Sequence, residues 1–246
     1  MEDLYFDYGR AVECYESGNL DGAEKRFLIG ASQKNSRAFV YLGAIYCKQK
    51  KIAESDRCVQ KAIKLANCYK VYYQLGYAFK CIGEMKEAKK YFKLAVESGI
   101  VAAENWLGNI YYNEGKKAKA FEWFQSAANK GFARALYNLG VWYADQNNLV
   151  EAKKNYELAV ELKYVPANAE LGYICFNEGD LKKAKKYFKA AAKTGCVYAL
   201  DNLGEVYQSL NPPKIEKAMR CYDKAALRGS EEAQIAYDEL NSIKHK

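Results

Sequence analysis

Histidine is nearly missing. The one histidine among 246 residues, His245, stands next to the C-terminus. Its scarcity takes the most frequent general base and zinc ligand out of the body of the chain. The eight cysteines, Cys14, Cys47, Cys58, Cys68, Cys81, Cys175, Cys196 and Cys221, contain no C-x-x-C pair. A cysteine/histidine metal site is therefore not expected, and neither is any cofactor. A phosphate-cradling glycine loop and a nucleophile elbow are also lacking, so the chain reads as non-catalytic. There are only three prolines, which leaves long stretches free to be helical. No run approaches the ~20 apolar residues that a membrane-crossing helix needs. The opening MEDLYFDYGR carries Glu2, Asp3, Asp7 and Arg10, unlike a secretory leader. A soluble, cytoplasmic protein is expected, with no membrane partner.

What is present is a repeated pattern. Between Ala103 and Gly131, Ala103, Leu107 and Tyr111 recur every four residues and share one helical stripe. Ala120, Phe124 and Ala127 mark a second helix, and Gly115 and Gly131 are expected as C-terminal caps. Gly108 lies inside the first helix, where it costs roughly 0.5–1 kcal/mol relative to alanine. The compensation expected is close approach of the second helix. The glycine recurs as Gly9, Gly43, Gly76, Gly108, Gly140, Gly172 and Gly204, with Ala236 in the eighth place. Leucine precedes it in six units, and an aromatic follows three residues on as Tyr46, Phe79, Tyr111, Tyr143 and Tyr207. In the second helices Ala23, Ala88, Ala120, Ala152, Ala184 and Ala218 are each followed four residues later by Phe or Tyr. In units one and seven the turn reads two residues longer. A period in the low thirties made of two helices predicts a helical solenoid.

The order Leu-Gly, aromatic, Ala, Phe/Tyr, Ala resembles the tetratricopeptide repeat. The junctions AANKGFARALYNLGVWY and AAAKTGCVYALDNLGEVY resemble the related Sel-one-like repeat. The short turn within each pair is similar to the first family, so the unit combines features of both. The resemblance implies a right-handed superhelical α-solenoid of antiparallel helix pairs, forming one domain over 1–246. Seven repeats fall at about 3–34, 35–67, 68–99, 100–131, 132–163, 164–195 and 196–229, with a capping helix at 230–246. Cysteine-rich secreted relatives carry paired cysteines at fixed offsets. Here the offsets vary, and reduced thiols acting as small core hydrophobes are expected.

The resemblance also implies a function: a scaffold binding a protein or an extended peptide on the concave face lined by first helices. Positions six and three before the glycine, and one, four and five after it, would line that face. They select Arg37, Lys48, Lys70, Tyr73, Tyr77 and Lys80 from units two and three. Units four and five add Asn105, Asn109, Tyr112, Asn113, Arg134 and Tyr137, and unit six adds Tyr173, Phe176 and Asn177. Asp3, Glu13, Asp201 and Glu205 make the ends acidic. Such a face suits a partner with an acidic extended segment. The tetratricopeptide clamp for chaperone tails is not matched, because Asn105 stands where it needs lysine. The net charge of +8 keeps nucleic acid or another polyanion as the alternative, and self-association is a further possibility. The lysine runs of the second helices read as solvated Lys/Glu pairs.

Overall fold

The computed structural model describes residues 6–66 and 68–244, and within them the chain forms fifteen α-helices and no strand. Glu2, Asp3 and His245 lie outside the described residues. The helices fall into two compact units, Met1–Lys130 and Gly131–Lys246. The first holds α1 (Tyr8–Glu16), α2 (Leu20–Ser32), α3 (Ser36–Lys48), α4 (Ile52–Ala66), α5 (Lys70–Cys81), α6 (Met85–Glu97), α7 (Val101–Asn113) and α8 (Lys117–Asn129). The second holds α9 (Ala133–Asp145), α10 (Leu149–Glu161), α11 (Ala167–Asn177), α12 (Leu181–Ala192), α13 (Val197–Ser209), α14 (Ile215–Ala226) and α15 (Glu231–Lys244). Each odd helix from α1 to α13 packs chiefly on the even helix that follows it, and α15 packs on α14, so the architecture is an all-α solenoid of helix pairs.

The turns follow from backbone sterics. Gly18, Gly83, Gly115 and Gly179 within pairs, and Gly99, Gly131, Gly195 and Gly229 between them, all have positive φ. This is the left-handed residue that ends a helix and lets the chain reverse. Lys34, Lys50, Asn147 and Lys163 adopt the same conformation without being glycine. The next helix is often started by a side chain. Asn19, Asn35, Asn148 and Asp180 each accept from a backbone N–H of the first turn. Pro166 stands just outside α11 as its N-cap. In the seventh pair the turn is longer, and Lys214 N–H closes it on the Tyr207 carbonyl at 2.8 Å.

The interior glycines do what the sequence suggested. A Cβ built on Gly108 would lie 2.4 Å from Phe124 Cε1, and one on Gly140 the same distance from Tyr156 Cε1. Gly76, Gly172 and Gly204 meet Phe92, Phe188 and Tyr222 as closely. A ring from the second helix thus rests on the bare backbone of the first. Phe27, Phe92, Phe124 and Phe188 are fully or almost fully buried, each stabilising by about 1.5–3 kcal/mol through apolar burial. The second pair departs from the pattern at both partners. Val59 replaces the ring, and the buried Ser55 donates to the Gly43 carbonyl at 2.7 Å.

Unit one of the sequence register needs correction. Gly9 is exposed, sits in the first turn of α1, and would meet only Asp7 Oδ1, at 3.5 Å. The fully buried Ala11 stands in the interior place instead. From Ala11, Ala23 and Phe27 fall at the offsets found in the third pair, and the apparent longer turn of the first pair disappears. The longer turn of the seventh pair is real.

Candidate interaction faces

First helices pack against first helices, α3 on α5 and α11 on α13, and among the described residues no two second helices approach comparably. In each unit these odd helices are drawn together on one side, its inner face.

In the first unit, side chains of α5 and α7 meet. Trp106 Nε1 donates to Tyr73 Oη at 3.1 Å, and the indole stacks on Phe92 with centroids 6.0 Å apart. Lys80 Nζ lies 4.5 Å from the Trp106 ring centroid and 5.0 Å from that of Tyr77, within cation–π range of both. The Tyr77 hydroxyl donates to Glu16 Oε1 at 3.1 Å. Burial, followed by its Cys81 and Glu16 neighbours, pushes that hydroxyl well above the usual tyrosine range. Deeper in the unit, Tyr15 donates to the Ala78 carbonyl at 2.6 Å, and Tyr41 stacks on Phe27. Tyr73, Tyr77 and Lys80 are thus brought together.

The other expected residues of this unit are spread out. Arg37 is exposed with its guanidinium 5.5 Å from the Tyr8 ring centroid. Lys48, Lys70 and Asn113 are exposed at helix ends, and Asn109 and Tyr112 are half-buried. Asn105 is 1% exposed and presents no open surface. Its neighbour Glu104 is equally buried and pairs with Lys130. Glu13 is exposed on α1, but the corrected register hands its place on the inner side to Tyr15 and Glu16.

In the second unit the inner face is built around a carboxylate. The Tyr137 hydroxyl donates to Glu170 Oε1 at 3.4 Å, and its ring packs on Tyr156 and Tyr164 at 5.6 and 5.4 Å. Arg134 is exposed, 5.9 Å from the Tyr164 ring centroid. Tyr173 is exposed and lies 6.4 Å from Tyr198. Phe176 packs partly into the core, and Asn177 is exposed where α11 ends. Burial pushes the Glu170 carboxyl above its usual value, opposed by the Tyr137 hydrogen bond. Glu205 is exposed on α13. Asp201 serves the fold: Ser230 Oγ donates to it at 2.9 Å and accepts from Ala233 N–H, capping α15.

Sequence spacing missed Trp106 and Glu170, both two residues before an interior glycine, whereas Tyr198, six before Gly204, stands at a selected spacing and was not named. The signal was available for Trp106 and Glu170 too. At 100° per residue, that position falls about 20° beyond the fifth residue after the glycine, at the edge of the same stripe.

The even helices carry most of the lysines, and some of these are paired. Lys89 pairs with Glu114, Lys153 with Glu178 at 2.6 Å, Lys154 with Glu151 at 3.6 Å and Lys183 with Asp180 at 3.1 Å. All eight cysteines are free thiols. Cys175 is buried and Cys68 exposed, while the other six are half-buried rather than core residues. Among the described residues no group of three His, Cys, Asp or Glu could hold a metal ion, and no helix is long and apolar enough to cross a membrane.

Comparison with known proteins agrees with this geometry. The tetratricopeptide repeat family model matches residues 69–98, 133–164 and 165–194, and the Sel1 repeat model matches 101–132 and 197–230. No curated protein matches the sequence. Among solved structures, c5321, a protective antigen of uropathogenic Escherichia coli displaying an SLR fold, is similar at 24% identity and TM-score 0.66. That match covers 93% of this chain, which spans only 54% of the antigen. A Sel1 repeat protein from Oxalobacter formigenes is similar at 23% identity and TM-score 0.61, covering 90% of this chain and all of that one. YrrB, a TPR protein with an unusual peptide-binding site, is similar at 24% identity and TM-score 0.50, over 76% of this chain and 98% of its own. Matches to the two models on successive helix pairs of one register, together with rings seated on bare glycine backbone, place this chain in the tetratricopeptide and Sel1 helical-repeat family.

Proposed function

We propose that the protein is a non-catalytic interaction scaffold whose first unit binds an extended, acidic segment of a partner protein. Repeats of this family generally serve protein–protein interaction. The observation that carries the finer reading is the Lys80–Trp106–Tyr77–Tyr73 cluster. It offers a cation for a carboxylate beside flat aromatic surfaces, the residue types that anchor interfaces. Lys48 and Lys70 add positive charge on the same set of helices. The peptide-binding site of YrrB, a protein of similar fold, is consistent with this use. The polyanion alternative has less support, because Lys89, Lys153, Lys154 and Lys183 of the even helices already pair with carboxylates.

The test is a pull-down from a lysate of the encoding organism, run with and without nuclease. Wild type is compared with a variant carrying Tyr77→Ala and Lys80→Glu, whose helicity is checked by circular dichroism. The expected result is a protein retained by wild type, lost by the folded variant and indifferent to nuclease. Retention that disappears with nuclease, or a partner that the variant keeps, would overturn the reading.

A further inference from the structure

In the first unit the cation on the inner face belongs to the chain. Lys80, four residues after Gly76, lies over Trp106, two residues before Gly108. The same two register places in the second unit, counted from Gly140 and Gly172, are occupied by Ala144 and Glu170. The lysine is gone and a carboxylate has taken the place of the indole. Glu170 is half-buried, accepts one hydrogen bond from Tyr137, and has no lysine or arginine within 4.0 Å among the described residues. Arg134, one turn before Tyr137 on α9, lies over Tyr164 instead.

A half-buried carboxylate without a cation is an unfavourable thing for a fold to keep. Its surroundings are aromatic. Tyr137 lies on the preceding first helix, Tyr173 on the next turn of α11, and Tyr198 on the first turn of α13. Burial, and next the Glu170 charge, push the hydroxyls of both Tyr137 and Tyr198 up to about 12. The carboxylate's field thus reaches rings on both neighbouring helices. Tyr173 and Tyr198 are 45% and 43% exposed, so their rings are open to an incoming group.

We propose that Glu170, Tyr137, Tyr173 and Tyr198 form a seat for the ammonium of a lysine side chain carried by a partner polypeptide. The carboxylate supplies the counter-charge, and the tyrosine rings supply cation–π contact and cover for the methylene stem. Lysine is the occupant because the first unit fills the equivalent place with its own lysine, against rings in the same manner. The seat goes beyond the acidic-segment reading of the first unit and does not depend on it.

The test uses the full chain and a fluorescently labelled glycine–serine peptide carrying lysines, beside the same peptide with every lysine acetylated. Binding is read by anisotropy. Wild type is expected to bind the lysine peptide and not its acetylated twin. Glu170→Gln keeps an acceptor for Tyr137 but loses the charge, and should weaken binding about tenfold, the factor that 1.4 kcal/mol represents. Ala144→Lys restores a chain cation in the Lys80 register and should weaken it similarly by occupying the seat. The pull-down of the proposed function rests on Tyr77 and Lys80 of the first unit alone, which separates a failure here from a failure of that reading. Equal binding by wild type and the folded Glu170→Gln variant, equal binding of the acetylated peptide, or no binding by wild type would each overturn the proposal.

Discussion

A single methyl group separates glycine from alanine, and at Gly108 there is no room for it. The added carbon would lie 2.4 Å from the nearly buried Phe124 ring. Gly108→Ala gains helix propensity but must displace that ring, so a net loss of about 1–3 kcal/mol is expected in urea unfolding. At Gly9 the nearest atom is an exposed carboxylate oxygen at 3.5 Å. Gly9→Ala should therefore be neutral or stabilise by up to about 1 kcal/mol. The opposite exchange applies at Lys163, whose φ of 65° costs a side chain strain that glycine avoids. Lys163→Gly should raise the thermal midpoint, with a gain below about 1 kcal/mol once the greater freedom of glycine in the unfolded chain is counted. These residues also show where the sequence could be read. Six interior glycines were legible because nothing else fits beneath the side chain that crosses them. Gly9 misled because spacing alone cannot tell a glycine under a ring from one in a helix's first turn.

Among the helices, α15 packs on α14 and is held at its start by one side chain. Ser230 Oγ caps its first turn and ties it to Asp201. Ser230→Ala removes a cap, at about 0.5–2 kcal/mol, and leaves the partly buried Asp201 without that donor. Hydrogen exchange should show faster exchange of the first amides of α15, with α9 to α12 unaffected. Successive pairs are also joined by polar rungs with partners 25 residues apart: Glu24 with Gln49, Lys89 with Glu114, and Lys153 with Glu178. They recur at every second junction, which the unbroken sequence register does not suggest. Trp106 and Glu170 escaped notice for a related reason. Whole-number spacing sorts residues into stripes, while a helix turns by 100° per residue, and positions at the edge of a stripe are lost.

Over the whole molecule, stability carries the mark of Glu170. Its carboxyl is held above the ordinary value of 4.5 by burial, so between those two values the folded chain binds more protons than the unfolded one. Stability therefore falls as pH rises from the unfolded value through the folded one. Glu170→Gln should be more stable than wild type at neutral pH, with the advantage fading in melts below about pH 4.5. A variant that melts later yet loses the lysine peptide would show that the charge is kept for binding and not for folding. The solenoid class was legible from end to end, because each repeat buries its hydrophobic stripe against neighbours in the same way. The division at residue 131 was not, since the glycine register runs from Gly108 to Gly140 in the same step as elsewhere.

Of the three tryptophans, Trp106, Trp123 and Trp142, Trp106 lies beneath the Lys80 ammonium with its N–H held by Tyr73. The excited indole is sensitive to a charge at that distance. With Trp123 and Trp142 replaced by phenylalanine, the protein's ultraviolet emission would come chiefly from this ring. A carboxylate that drew Lys80 aside would then shift its colour and brightness, so the first unit carries an unlabelled optical gauge of its own occupancy.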